Sequence, residues 1–218
     1  MAKEEMNFNL SNNGANLSVA AVNFSGVGDS SYIKTDTQQI FNELGKFLPK
    51  GTYFLYVRDL KEYSIDGKYP GGHTYNQHES MIALPSWRVD RKLVLATIAH
   101  ELHHLARWQH AGYGATLGEA ILSEGIATLY ESQVANWSPP WSQAALDSAI
   151  IKKALEDWDN DQYDHIDWFF DGKYGRWVGY TIGFQVARLL LGDGIDIKKS
   201  LELTVADFDN KAMLDRLK

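Results

Sequence analysis

The segment His100-Glu-Leu-His-His104 constrains the chain most, because its H-E-x-x-H pattern lies in a long apolar-periodic run from about Asp90 to His110. This period is typical of a helix, in which each residue turns by about 100°. His100 and His104 then lie about 40° apart on one face, with Glu101 about 60° beyond His104. Two neutral imidazoles on adjacent turns can share one zinc ion, while the carboxylate stands beside the metal as a base.

His103 is an alternative second ligand, because positions three apart on a helix also share a face. The pair of His100 and His103 is centred about 130° from Glu101, however, so the base would point away from a metal bound there. His104 is therefore the predicted ligand. A buried helix that merely carries three histidines is the other interpretation, and it is costly because buried imidazoles need partners.

Composition limits the kinds of metal site and partner that we expect. The 218 residues contain no cysteine, which leaves His and carboxylate side chains as metal ligands. The net charge is −7 and there is no basic run, so we expect no nucleic-acid partner. A hydrophobic content of 44% suffices for one core. We predict a single domain over 1–218 with a sheet lobe at about 17–112 and a helical lobe at about 113–218.

The N-terminal sequence and the hydropathy of the chain bear on its location. Met1-Ala-Lys-Glu-Glu5 is acidic and polar, whereas a signal peptide has a basic end followed by an apolar core. No apolar run approaches the length of a membrane span. We therefore expect a cytoplasmic protein without a membrane partner, although a chain whose signal peptide had been removed would look the same.

The first half of the chain predicts short strands and one helix before the H-E-x-x-H segment. Residues 7–16, rich in Asn and Gly, predict a loose N-terminal segment. The β-prone runs are 17–24, 52–57 and 79–84, and the helical run is 35–48.

The strand predicted at 79–84 is stopped by Pro85 directly before the metal-bearing helix. A short strand closed by proline suits a sheet edge, which can pair with an extended peptide through backbone N–H groups. We accordingly predict that the main chain at Ile82 or Ala83 binds substrate. An ordinary core strand is an equally good interpretation of the sequence.

The third metal ligand is predicted after the H-E-x-x-H segment, in a helix that a Thr116 capping box opens and that ends at about Ala135. Glu124 shares the face of this helix that carries Leu117 and Ile121, so its carboxylate should be buried, which is costly unless it is paired or metal-bound. Glu124 follows His104 by 20 residues, enough for a turn and a returning helix. We therefore choose Glu124 over Glu119 and Glu131.

The rest of the chain predicts helices. They are expected at about 143–158 and 177–191, and the remainder to Lys218 is also expected to be helical. In the second of these, Gly179 and Gly183 lie four residues apart and would allow a close approach to a neighbouring helix.

Three motifs together resemble a known family. They are His100-Glu-Leu-His-His104, Leu122-Ser-Glu124-Gly-Ile-Ala127 and Gly179-Tyr-Thr-Ile-Gly-Phe184, and they resemble the YjaZ-like family of predicted bacterial zinc-dependent proteases over about residues 70–191. The 20-residue gap is also similar to that of the thermolysin-type gluzincins. Those enzymes, however, have Asn-Glu-x-x-x-Asp around the third ligand, whereas this chain has Ser123 and Thr128.

The resemblance implies an α+β, zincin-like fold: a small twisted N-terminal sheet over an active-site helix, with a mostly helical C-terminal lobe. It carries the Zn²⁺ ligands to His100, His104 and Glu124 and the general base to Glu101. For the group that stabilises the oxyanion of peptide hydrolysis we choose Tyr180. The residues considered behind it are His165, Tyr174 and Arg176.

Two other functions are compatible with the sequence. One is a zinc-binding regulatory or scaffold domain without catalytic activity, and the other is a zinc hydrolase that acts on a non-peptide amide or ester. Peptide hydrolysis by a zinc-activated water is the predicted function.

Overall fold

The structure is a computed structural model that describes residues 5–22, 31–85, 89–192 and 194–217; of Glu5 and Val22 it describes the backbone alone. The chain divides into two compact units, Met1–Gln109 and His110–Lys218. This division falls three residues before the lobe boundary expected from the sequence. The single zincin-like domain stays a prediction.

Unit 1 contains a five-stranded mixed sheet. Its strands are β1 (Glu5–Asn12), β2 (Ala15–Val22), β3 (Gly51–Asp59), β4 (Gly71–Asn76) and β5 (Glu79–Leu84). Their spatial order is β1-β2-β3-β5-β4. The β2–β3 and β3–β5 pairs are parallel, whereas β1–β2 and β4–β5 are antiparallel. The α+β class is therefore confirmed.

The prediction of a loose segment at residues 7–16 is wrong, because these residues form most of β1, a tight turn and the start of β2. The turn residues Asn13 and Gly14 both have positive φ, at 51° and 88°. Asn-Gly favours this kind of two-residue hairpin turn, since both residues adopt positive φ readily. Along β1 the apolar side chains of Met6, Phe8 and Leu10 alternate with polar ones, which is the period of a strand.

The strand predicted at 79–84 is confirmed in its bounds, but its predicted place at a sheet edge is wrong. β5 pairs with β3 on one side and with β4 on the other, so Ile82 lies between Val57 and Gly72. Ile82 and Ala83 are buried. Because both sides of β5 are hydrogen-bonded within the sheet, the main chain at these two residues cannot pair with a peptide as predicted. Among the strands that the structure describes, the edge on this side is β4.

Two helices complete unit 1. They are α1 (Ser31–Leu44), which continues as one 3-10 turn to Phe47, and α2 (Arg91–Trp108). The Asp90 side chain caps α2 by accepting a hydrogen bond from the Lys92 N–H at 2.9 Å. Asp36 of α1 accepts two hydrogen bonds from the Arg91 guanidinium, at 2.6 and 3.1 Å. α2 packs against β4 and β5, so the H-E-x-x-H segment lies next to the edge of the sheet.

Unit 2 is helical in its described residues. Its helices are α3 (Leu117–Val134), α4 (Ser148–Glu156), α5 (His165–Phe169), α6 (Val178–Leu191), α7 (Ile197–Glu202) and α8 (Asn210–Asp215). Its apolar core includes Trp158, Trp168 and Phe169, packed against the apolar faces of α3 and α6. The capping box predicted for α3 is confirmed, with Thr116 and Glu119 bonded reciprocally.

The helix predicted from residue 143 begins five residues later, at Ser148. Before it, the Thr181 hydroxyl accepts a hydrogen bond from the Ala144 N–H and donates one to the Trp141 carbonyl, both at 2.9 Å. These bonds tie the segment before α4 to the side chain of Thr181. Asp147 then caps α4 through the Ile150 N–H.

α3 and α6 approach each other at two glycines. A Cβ added to Gly125 would lie 2.0 Å from the Gly183 carbonyl carbon, and one added to Gly183 would lie 2.1 Å from the Ile121 carbonyl oxygen. The close approach expected from Gly183 is thus confirmed. Gly179 instead faces the Phe169 ring, which a Cβ would meet at 2.7 Å.

None of the helices in the described part of the chain is long and apolar enough to cross a membrane.

Candidate functional site

His100 and His104 turn their rings toward each other on α2. Their Nε2 atoms are 3.0 Å apart, and the ring planes meet at 71°. A tetrahedral zinc ion bound at about 2.0–2.1 Å from each nitrogen would hold the two nitrogens about 3.3 Å apart. The two side chains are 9% and 5% exposed, so both imidazoles are shielded from bulk water. The pair therefore fits two adjacent positions in a zinc coordination shell.

His103, the alternative second ligand, is fully buried. Burial lowers its pKa well below the usual value, and the charges of His104, Arg107 and His100 lower this pKa further. Its imidazole is accordingly held neutral. The short contact with His100 Nε2 is made by His104.

Glu101 lies on the same helix with its carboxylate against β4. The Thr74 hydroxyl donates a hydrogen bond to Glu101 Oε2 at 2.8 Å, and the Glu101 side chain is 4% exposed. A Cβ added to Gly72 would lie 2.2 Å from Glu101 Oε1, so the carboxylate occupies the space that a side chain would fill. Neither Gly72 nor Thr74 is expected at the site from the sequence, because Pro-Gly-Gly at 70–72 is typical of a loop.

Glu124 of α3 is 6% exposed. The Tyr113 hydroxyl donates a hydrogen bond to Glu124 Oε1 at 2.7 Å. Burial raises the pKa of Tyr113 well above its ordinary value, and the Glu124 charge raises this pKa further. Tyr113 therefore remains a neutral donor to the carboxylate. It stands in the Ala-Gly-Tyr-Gly connection before α3, whose composition is typical of a loop.

The two rival carboxylates of α3 serve local structure. Glu119 Oε2 accepts hydrogen bonds from the backbone N–H groups of Ala115 and Thr116, at 2.7 and 3.0 Å. Glu131 Oε1 accepts one from the Trp141 indole at 2.7 Å. Glu119 thus bonds to backbone N–H groups at the start of α3, and Glu131 bonds to an indole in the turn that follows α3.

Tyr180 is half-buried on α6 and packs edge-to-face against Phe169, with ring centroids 5.2 Å apart. It also contributes to the raised pKa of Tyr113, which places it within electrostatic range of that hydroxyl. The other candidates for stabilising the oxyanion each pack on an aromatic ring. The ring centroids are 4.4 Å apart for His165 and Phe169 and 4.3 Å apart for Tyr174 and Trp168, and Arg176 Cζ lies 4.1 Å from the Trp177 ring centroid.

The chain resembles solved structures of zinc metallopeptidases at low sequence identity. The M1 zinc metallopeptidase from Deinococcus radiodurans matches with 11% identity and a TM-score of 0.47, over 96% of this chain and 45% of that one. A mutant of that protein matches with 11% identity and a TM-score of 0.48, over 99% and 48%. A two-domain M1 mutant bound to L-tryptophan matches with 9% identity and a TM-score of 0.49, over 98% and 51%. The chain therefore spans about half the length of the solved structures it matches.

Comparison with curated proteins found no match. The model of the family described as "Predicted Zn-dependent protease (DUF2268)" matches residues 37–209, well over half of the chain. Zinc, the cofactor predicted from the histidine pair, is the metal that this description names. The resemblance to predicted zinc-dependent proteases is thus confirmed, and the chain belongs to this family.

Proposed function

We propose that the protein is a zinc-dependent metallopeptidase in which His100, His104 and Glu124 hold the metal and Glu101 is the general base. The observation that carries the proposal is the pair of Nε2 atoms facing each other at 3.0 Å on α2, one residue from the Glu101 carboxylate. Two imidazoles and one carboxylate are a ligand set that a catalytic zinc ion commonly takes, with the fourth position left to water or substrate. The zincin-like arrangement of sheet and active-site helix is part of this proposal.

The choice of Glu124 rests on the hydrogen bonds of the three carboxylates. Glu119 and Glu131 bind the helix cap and an indole, whereas the Tyr113 phenol donates to Glu124. Carboxylates that ligate metals are commonly oriented by such a hydrogen bond. Tyr113 would thus orient the proposed carboxylate ligand.

A bound Zn²⁺ would supply Lewis acidity toward a substrate carbonyl and toward water. Glu101 accepts a proton from the attacking water while the oxygen of that water bonds to the carbonyl carbon. Glu101 then gives the proton to the leaving amine as the C–N bond breaks. The Tyr180 hydroxyl donates a hydrogen bond to the carbonyl oxygen, which gains negative charge in the transition state.

The substrate is an extended peptide that pairs with β4. This strand replaces β5 in the predicted role, because it is the edge among the described strands on the side of Glu101. Thr74 on β4 donates to the Glu101 carboxylate, so a peptide paired along β4 would run past the proposed base. A peptide with single backbone N-methyl groups tests this. Methylation at alternate residues should raise KM at one set of positions and leave it unchanged at the other, whereas equal KM values at all positions would contradict strand pairing.

The metal assignment is tested by measuring zinc content and the cleavage of a mixed peptide library. We expect about one zinc per wild-type chain and its loss in His104→Ala, while His103→Ala retains it. Glu101→Gln should keep zinc but lower kcat by several orders of magnitude, because the base is lost while the ligands remain.

Each contrary outcome identifies an alternative. Zinc retained in His104→Ala and lost in His103→Ala would move the site to His103. Wild-type protein that holds zinc and cleaves nothing would be a regulatory or scaffold domain. Cleavage of ester or non-peptide amide substrates, with every peptide left intact, would indicate a different zinc hydrolase.

A further inference from the structure

The Thr74 hydroxyl links the edge strand β4 to α2 through a short chain of hydrogen bonds. It lies 2.8 Å from Glu101 Oε2 and 2.9 Å from the Ser80 hydroxyl of β5. It also lies 3.2 Å from the Glu101 carbonyl oxygen. Ser80 is fully buried, and Glu101 is nearly so. Three side chains from three different elements therefore meet at this hydroxyl.

The direction of these bonds follows from the number of hydrogens. A threonine hydroxyl has one hydrogen to donate, and the carboxylate oxygen is its shortest and most polar acceptor. Ser80 must then donate to Thr74, so the chain runs from Ser80 through Thr74 to Glu101. A donor that is itself a hydrogen-bond acceptor is polarised, which strengthens its bond to the carboxylate.

Gly72 provides the space in which this carboxylate is held. A Cβ there would lie 2.2 Å from Oε1 and 2.5 Å from Cδ of Glu101. Gly72 is not among the described glycines with positive φ, so the backbone conformation does not require a glycine. The absence of a side chain is what this position supplies. Two residues of β4 therefore hold the Glu101 carboxylate in place. Gly72 leaves room for it, and Thr74 donates a hydrogen bond to it.

We infer that Thr74 is a positioning residue for the general base, and that it sets the orientation in which Glu101 meets the attacking water. This inference rests on the proposed function, because Glu101 must be the base. A glutamate has three side-chain torsions, and a carboxylate free to rotate spends only part of its time in a reactive orientation. The hydrogen bond from Thr74 removes that freedom. Because Thr74 lies on the strand proposed to bind the peptide, substrate pairing and base orientation share one element.

The test compares Thr74→Val, which removes the hydroxyl at constant shape, with Thr74→Ser, which keeps it. We expect Thr74→Val to lower kcat by about 10- to 100-fold, as for loss of a hydrogen bond to a charged group, with KM changed less than about threefold. Thr74→Ser should regain most of kcat. Thr52→Val, at an exposed threonine of β3 in the same sheet, is the matched control and should behave as wild type.

Two measurements separate positioning from a structural role. In the Glu101→Gln background, Thr74→Val should cause no further loss of residual activity, because the hydroxyl acts through the carboxylate. A crystal structure of Thr74→Val should show the Glu101 carboxylate displaced, with zinc content and the urea midpoint close to wild type.

The outcomes distinguish this inference from the proposed function. An active wild type with equally active Thr74→Val, or an undiminished Thr74→Val effect in the Glu101→Gln background, would overturn the positioning role and leave the peptidase standing. A zinc-loaded wild type without hydrolytic activity would overturn both.

Discussion

Gly125→Ala is expected to destabilise unit 2 through the crossing of α3 and α6. The new Cβ would lie 2.0 Å from the Gly183 carbonyl carbon and 2.1 Å from its oxygen. These atoms belong to the backbone of a buried helix, so no flexible side chain can move aside. Ordinary contact begins at 3.4 Å, and the two helix backbones would have to separate by more than about 1 Å.

Two opposing effects set the size of the change. Overpacking a tight core costs about 1–3 kcal/mol, and contact with a helix backbone belongs at the upper end of that range. Alanine gains about 1 kcal/mol over glycine in helix propensity. The net expectation is a loss of about 2 kcal/mol in the free energy of unfolding. For a chain of this length, that corresponds to a fall of about 4–8 °C in Tm.

Urea and thermal unfolding followed by circular dichroism measure this loss. The matched control is Gly194→Ala, because a Cβ at Gly194 meets nothing within 4 Å and its φ is not positive. That variant should be as stable as wild type or more stable by up to about 1 kcal/mol, since alanine restricts the unfolded chain. If Gly125→Ala unfolds at the same urea concentration as Gly194→Ala, the two helices cross less closely than the structure shows.

Two further predictions concern Glu124 and the pH dependence of a helix cap. Tyr113→Phe should weaken zinc binding by about 10-fold or more, measured by competition with a chelator, because Glu124 loses its orienting donor; an affinity like that of the control Tyr163→Phe would contradict this. The Thr204 backbone N–H and, to a smaller extent, the Thr204 hydroxyl donate hydrogen bonds to the Asp207 carboxylate and lower its pKa below the usual value. The stability that the ionised Asp207 contributes is therefore present above about pH 3.8 and is lost as the pH falls through the lowered pKa. Thr204→Val should raise the Asp207 pKa measured by carbon NMR. An Asp207 pKa equal to that of the wild type would show that the Thr204 hydroxyl does not lower it.

The helices that carry the proposed ligands could be predicted from the sequence because each has a strong local signal. α2 has an apolar helical period around the H-E-x-x-H segment, and α3 begins at a capping box. The order of the strands has no such signal. β4 starts in Pro-Gly-Gly, which is typical of a loop, so the sequence does not indicate the strand that covers β5 and favours a place for β5 at the edge.

The hydrogen-bond donors to the two carboxylates also escaped prediction. Thr74 precedes Glu101 by 27 residues and Tyr113 precedes Glu124 by 11, and no short-range spacing rule connects either pair. Tertiary packing alone brings them together. The cytoplasmic location expected from the N-terminal sequence stays a prediction.

A strand at the edge of a sheet, as β4 is among the described strands, is also a place where two copies of a protein can join, which is a first step toward aggregation. β4 has six residues, begins with two glycines, and shifts its register against β5 between Thr74 and Asn76. Such irregularity shortens the regular ladder that a second copy could extend. A peptide needs only a few paired residues, whereas fibril growth needs a long, flat edge. If β4 pairs with a substrate as proposed, the same short strand would also resist self-association.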